Sequence, residues 1–153
     1  MPTYIGNRGG GSNAATRDFV VATGVTVTKG DFVYFDGDGE ITNASIATQR
    51  LVGLADETVV GDDALTCRVI VNEDAIYLVD NDNDSTTFGA EHVGTFFDLT
   101  GATGAQLVDT STTATTTAQL FCLEYNPQGP GDISTDTSQG LFTIAESALH
   151  GDF

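Results

Sequence analysis

Asp80-Asn81-Asp82-Asn83-Asp84, with Glu91 eleven positions after Asp80, sets carboxylates at the first, third, fifth and twelfth positions of an EF-hand-type calcium loop. Hard oxygen donors on an adaptable loop are what Ca²⁺ takes, so Asp80, Asp82, Asp84 and Glu91 are candidate ligands. Ser85 occupies the sixth position, where such loops use Gly, and the flanking segments read as strands instead of helices. An acidic solvated turn is the competing account. Asp36, Asp38 and Glu40 form a shorter copy that an Asp-Gly hairpin turn explains without a metal.

Catalytic chemistry has less to draw on. His92 sits in a Gly-flanked turn region and His150 near the last residue, neither beside a nucleophile in sequence. Cys67 and Cys122 fall in apolar runs, LTCRVIV and QLFCLEY, where a buried free thiol is the expected state and a bridge requires the two strands to be neighbours. No nucleophile, base and orienting group can be named together, and an enzyme is not expected.

The elements that must position these residues are short strands. In GVTVTKGDFVYFDGDGEITNAS, Val25, Val27, Phe32 and Tyr34 recur at period two, while Lys29-Gly30-Asp31 and Asp36-Gly37-Asp38-Gly39 supply turn chemistry. Strands are expected over 19–22, 25–28, 32–35, 40–44, 50–55, 65–71 and 75–79, then over 95–99, 106–109, 119–125 and 141–145. Helix is limited to a turn or two at 45–49 and 145–150. The threonine-rich tract 109–117 is a loop or an edge strand. Residues 131–139 read as a long polar loop before the last strand. The expected fold is all-β, a compact barrel, a β-tulip or a sandwich, forming a single domain over 19–153.

Charge bounds the partners. The chain has 153 residues, with 22 acids against five cations and a formal charge of −17. That field repels phosphate backbones and anionic membranes, so no nucleic-acid and no membrane partner is expected. No apolar run approaches the roughly 18 residues of a bilayer span, and the N-terminus lacks the basic start and apolar core of an export signal. Sixteen of the acids are Asp and the one lysine is Lys29, a balance suited to concentrated salt, where screening removes self-repulsion. A saline source follows as an expectation, and solubility of an abundant surface protein is the plainer account.

The first 18 residues differ from the rest. They carry a net +1, leaving −18 on the remaining 135, and they contain Gly9-Gly10-Gly11-Ser12, a linker-like composition. A flexible arm over 1–18 is expected, ordering on contact with a partner through the apolar pair Tyr4-Ile5 and the cations Arg8 and Arg17.

GVTVTKGDFVYFDGDGEITNAS, followed by RLVGLADETVVGDDALTCRVIV, resembles the small capsid decoration proteins of tailed viruses, also called cement or head-stabilisation proteins. The layout of Phe96-Phe97-Asp98-Leu99, Gly104 to Asp109 and Leu120 to Glu124 is similar, so the likeness covers most of residues 19–125. The resemblance implies a β body on the outer surface of an icosahedral virion, arranged as homotrimers, with the major capsid protein as partner and an N-terminal arm reaching to a neighbour or the shell. In this sequence the arm falls to residues 1–18. Two other readings stand beside it: a calcium-dependent β-sandwich carbohydrate-binding module using 80–91, and a tail or fibre component of a virion. The module is disfavoured by the absence of Trp, the strongest sugar-stacking residue.

Overall fold

A computed structural model describes residues 1–44, 50–82, 88–113, 118–125, 139–145 and 148–149. The strands are β1 (Thr3–Asn7), β2 (Thr16–Val20), β3 (Thr26–Val27), β4 (Phe32–Phe35), β5 (Ile41–Asn43), β6 (Leu51–Ala55), β7 (Val59–Val60), β8 (Thr66–Ile70), β9 (Ala75–Asp80), β10 (Phe96–Thr100), β11 (Leu107–Thr113), β12 (Leu120–Tyr125) and β13 (Gln139–Ile144). The described helical content is one 3₁₀ turn, Ala90–His92. The protein is therefore all-β, and no helix among the described residues is long and apolar enough to cross a membrane.

Two larger antiparallel sheets carry the fold, a six-stranded one in the order β1-β9-β13-β12-β10-β11 and a five-stranded one in the order β2-β8-β6-β4-β5, with β3-β7 a small third. Each large sheet curls until distant strands approach, through single parallel bridges at Asn81↔Val108 and Val21↔Ile41. Neither ladder closes. The arrangement is consistent with the expected all-β sandwich, and no closed barrel forms: a lone bridge cannot replace the run of paired backbone groups that closure requires.

The sheets enclose one core and the five-stranded sheet backs onto another. Phe32, Leu54 and Ile70 meet Tyr77, Val79, Phe97, Leu99, Leu120 and Phe142 between the sheets. On the other face Val33, Val52, Cys67 and Val69 pack with Val21 and Val27. A sheet covered on both faces reads as a continuous apolar run, and β6, Leu-Val-Gly-Leu-Ala, is buried at every position. Gly53 is required there, because a Cβ would stand 2.0 Å from the Ile70 carbonyl oxygen. Burial of each Leu, Val or Phe in these cores contributes roughly 1.5–3 kcal/mol before the entropy of ordering is counted.

Three buried polar side chains pair with distant backbone groups, and two of them, Asp31 and Gln106, join the two halves of the chain. Asp31 is fully buried, and its carboxylate accepts from the backbone N–H of Thr28 at 2.9 Å, from the N–H of Gly104 at 2.7 Å and from the Thr103 hydroxyl. Gln106 accepts from Phe32 N–H at 2.6 Å and donates to the carbonyls of Phe32 and Ala44 at 3.0 and 2.6 Å. Gln119 accepts from Leu99 N–H at 2.7 Å. These side chains stand in for ladder partners where curled strands separate, so backbone groups stay paired away from water.

The flexible arm expected over 1–18 is corrected. β1 pairs with β9 and β2 with β8, so the segment adds an outer strand to each large sheet. The glycines form the crossing between them: Gly10 and Gly11 have φ of +87° and +89°, and Asn7 and Gly11 close the turn by a 3.1 Å backbone hydrogen bond. Left-handed backbone, which Gly adopts without strain, is what the composition encodes here.

Elsewhere β7 was not expected, being two residues long, and the Thr-rich tract is an edge strand as far as Thr113. The expected turn at 45–49, residues 146, 147 and 150 of the expected turn at 145–150, residues 114–117 of the Thr-rich tract and residues 131–138 of the expected loop lie outside the described residues.

Candidate functional site

The N-terminal segment presents its four proposed contact residues differently. Tyr4 is part of the packing: its ring meets Tyr77 edge-on at 6.3 Å between centroids, and its hydroxyl donates to Asn7 Oδ1 at 2.9 Å. Ile5 lies at a register shift between Tyr4 and Gly6 and is 42% exposed. A bulge at a sheet edge turns the strand away from further pairing and projects the side chain. Arg8 lies against the β8–β9 connection, its guanidinium donating to the Glu73 carbonyl at 3.3 Å and its backbone N–H to the Asp74 carbonyl at 2.7 Å. Arg17 is exposed on β2 opposite Val69, and its side chain has no hydrogen bond or ion pair among the described residues.

Lys29 and Arg68 converge on Asp56, at 3.4 and 3.2 Å. Between β1 and the Lys29-Gly30 turn lies an open groove of about 280 Å³ lined by Pro2, Tyr4, Leu54, Asp56 and Ile70. The structure thus places Arg8 on the turn after β1 and Arg17 on β2 of the other sheet, and packs Tyr4 against the core.

Among the described residues the calcium candidates Asp80, Asp82 and Glu91 do not form a group able to hold a metal ion. Asp80 accepts from the N-terminal ammonium of Met1 at 2.8 Å through one carboxylate oxygen and from the Gln139 amide through the other. Asp82 N–H donates to the Val108 carbonyl at 2.9 Å. Glu91 lies on the 3₁₀ turn, with a carboxylate oxygen 3.7 Å from His92 Nδ1. Asp84 falls outside the described residues. Among the described residues no three His, Cys, Asp or Glu side chains are grouped to hold a metal ion.

His92 has a structural task. Its Nδ1 accepts from Gly89 N–H at 2.9 Å and its ring stacks on Phe88 at 5.1 Å, 11° from parallel. His150 lies outside the described residues. Cys67 and Cys122 are free and buried in different cores, which excludes a bridge. Burial pushes the Cys67 thiol up to about 11, with Glu57 adding to it, and burial pushes the Cys122 thiol up to about 12. Neither is a nucleophile at neutral pH.

One surface was not anticipated from the sequence. The outer face of the six-stranded sheet carries Phe96 and Phe121 as a cross-strand pair with rings 5.0 Å apart, and Leu78 opposite Leu141. Phe96 is 41% exposed. On the same face Asp98 stands directly opposite Asp109, and the Asp98 carboxyl is held above the usual range, by burial first and by Asp109 second. The signal in the sequence was the unbroken run Leu120-Phe121-Cys122-Leu123, apolar on both faces of a strand.

Comparison with family models, with curated proteins and with solved structures returns no match for this chain.

Proposed function

We propose that this chain is a structural virion protein, a capsid decoration protein that binds the outer surface of an icosahedral shell as homotrimers and strengthens contacts between its capsomers. The major capsid protein is the partner. The observation that carries the reading is the N-terminal segment: Ile5 projects at a bulge, and the segment holds Arg8 and Arg17 at a net +1 beside a body of net charge −18. A cationic segment with an exposed apolar residue on an acidic protein favours one docking orientation over others. The resemblance of residues 19–125 to decoration proteins points the same way.

A cement protein works by mass action. A subunit that binds only the closed arrangement of neighbouring capsomers stabilises that arrangement in proportion to its occupancy. Three copies on one symmetry axis make each further contact intramolecular and raise its effective concentration. Because the N-terminal segment is already strand-paired, attachment need not bear the ordering entropy of a disordered arm.

Co-sedimentation of the purified chain with shells stripped of it tests the proposal. Saturable binding that weakens in Arg8→Ala/Arg17→Ala, with thermal stability unchanged, is the expected outcome. Failure of the wild-type chain to co-sediment at any concentration refutes the proposal.

A further inference from the structure

The six strands of the larger sheet contain no Lys or Arg, and their charges are Asp80, Asp98, Asp109 and Glu124. Antiparallel sheets with one solvated face alternate apolar and polar residues, as β8 does with exposed Thr66 and Arg68 between buried neighbours. The outer face of the larger sheet departs from this, with Leu78, Leu141, Phe121 and Phe96 turned away from the core. Beside the aromatic pair, Asp98 and Asp109 are directly opposed, although like charges so placed disfavour the fold. One oxygen of Asp98 is shielded from solvent and has no hydrogen-bond partner. A cation brought from outside would relieve both defects.

We propose that this face, centred on Phe96 and Phe121, is a docking surface for a partner protein that lays an apolar side chain on the two rings and sets an arginine or lysine against Asp98 and Asp109. Charge complementarity selects that occupant. Two copies of this chain meeting face to face about a two-fold axis would bring the acidic pairs together with no cation on either side. Arginine fits best, since its planar group spans two carboxylates and stacks on an aromatic face. The inference stands apart from the decoration reading, which rests on the N-terminal segment.

The test uses the full chain, labelled with ¹⁵N, titrated with a short synthetic peptide of alternating leucine and arginine. A peptide of alternating serine and arginine serves as the charge-matched control. The expected result is amide shifts concentrated in β10, β11 and β12, with the leucine-containing peptide at least about tenfold tighter. Phe96→Ser/Phe121→Ser should weaken it by about tenfold, and Asp98→Asn/Asp109→Asn by at least about threefold. Asp38→Asn/Asp62→Asn, which changes net charge equally on exposed turns, should leave it unchanged.

Because Phe121 is half-buried, Phe96→Ser alone, on the more exposed ring, repeats the measurement if the double variant does not fold. Equal affinity for the two peptides, shifts following acids over the whole surface, or equal loss in the control variant overturns the proposal. So does sedimentation showing a self-associated wild-type chain that Phe96→Ser dissociates, which would assign the face to copies of this chain.

Discussion

Gln106→Leu should remove a large part of the stability of this protein while leaving its volume and burial almost unchanged. The Gln106 amide serves three backbone groups: it accepts from Phe32 N–H and donates to the carbonyls of Phe32 and Ala44. The Phe32 carbonyl keeps a second partner, the Ala44 N–H at 2.8 Å. Leucine therefore leaves two groups, Phe32 N–H and the Ala44 carbonyl, without these partners in a fully buried setting. At about 1–3 kcal/mol for each orphaned group, less a little for the added apolar surface, the expected loss is roughly 2–5 kcal/mol. Against a typical total of about 5–15 kcal/mol that is severe. For a chain of this length each kcal/mol moves the midpoint by about 2–4 °C, so Tm should fall by roughly 5–15 °C.

Gln106→Glu separates hydrogen bonding from packing. A carboxylate at this site would face two carbonyl oxygens in a buried setting, so its folded pKa is raised above the unfolded value of about 4.3. A raised folded pKa means that the contribution of the protonated form is present below the unfolded value and lost as pH rises through the folded one. The deficit of Gln106→Glu relative to wild type should therefore be smallest near pH 4 and grow toward neutrality. Urea unfolding of both variants and the wild type at pH 4 and pH 7 provides the numbers. A loss below about 1 kcal/mol for Gln106→Leu, or a pH-independent deficit for Gln106→Glu, would refute the view that this amide replaces a strand partner.

Three further outcomes are expected. Asp98→Asn should stabilise the fold near pH 7 by about 0.2–1 kcal/mol, because the raised folded pKa makes ionised Asp98 a burden that disappears as pH falls; the gain should vanish near pH 3 and shrink in 1 M salt, read by chemical denaturation. Tyr77→Phe should be neutral or stabilising by up to about 1 kcal/mol, since the Tyr77 hydroxyl is buried without a hydrogen-bond partner; a loss above about 1 kcal/mol in thermal unfolding would contradict this. In the native protein Cys67 and Cys122 should resist iodoacetamide at pH 8 and react after denaturation, and rapid native labelling followed by mass spectrometry would contradict their burial.

Much of the fold was legible because turn chemistry and period-two alternation are local. Lys29-Gly30-Asp31 and the Asp-Gly repeats mark where β4 and β5 begin and end, and the strands they bound fall within a residue or two of the expected ranges. What alternation does not report is pairing between segments far apart in sequence. Gly9-Gly10-Gly11 has the same composition in a linker as in a turn between two sheets, and the pairing of β1 with β9 and β2 with β8 decides between them. Gln106 and Asp31 read as ordinary turn-adjacent polar residues, whereas Gln106 serves Phe32 and Ala44, and Asp31 serves Gly104, each more than sixty positions away. The calcium spacing was a one-dimensional match, whereas Asp80 is engaged by the chain terminus and by Gln139. The aromatic face was visible in Phe96-Phe97 and Leu120 to Leu123, but a run apolar on both faces also fits a strand between two cores, as β6 demonstrates.

The most direct test of the proposed role is quantitative mass spectrometry of purified particles from the culture that yields this chain, counting its copies against those of the main shell protein. Decoration predicts a ratio of order one, fixed by shell symmetry and unchanged on repeated purification. A handful of copies per particle would move the chain to the tail or a vertex, and its absence from particles would contradict the account outright.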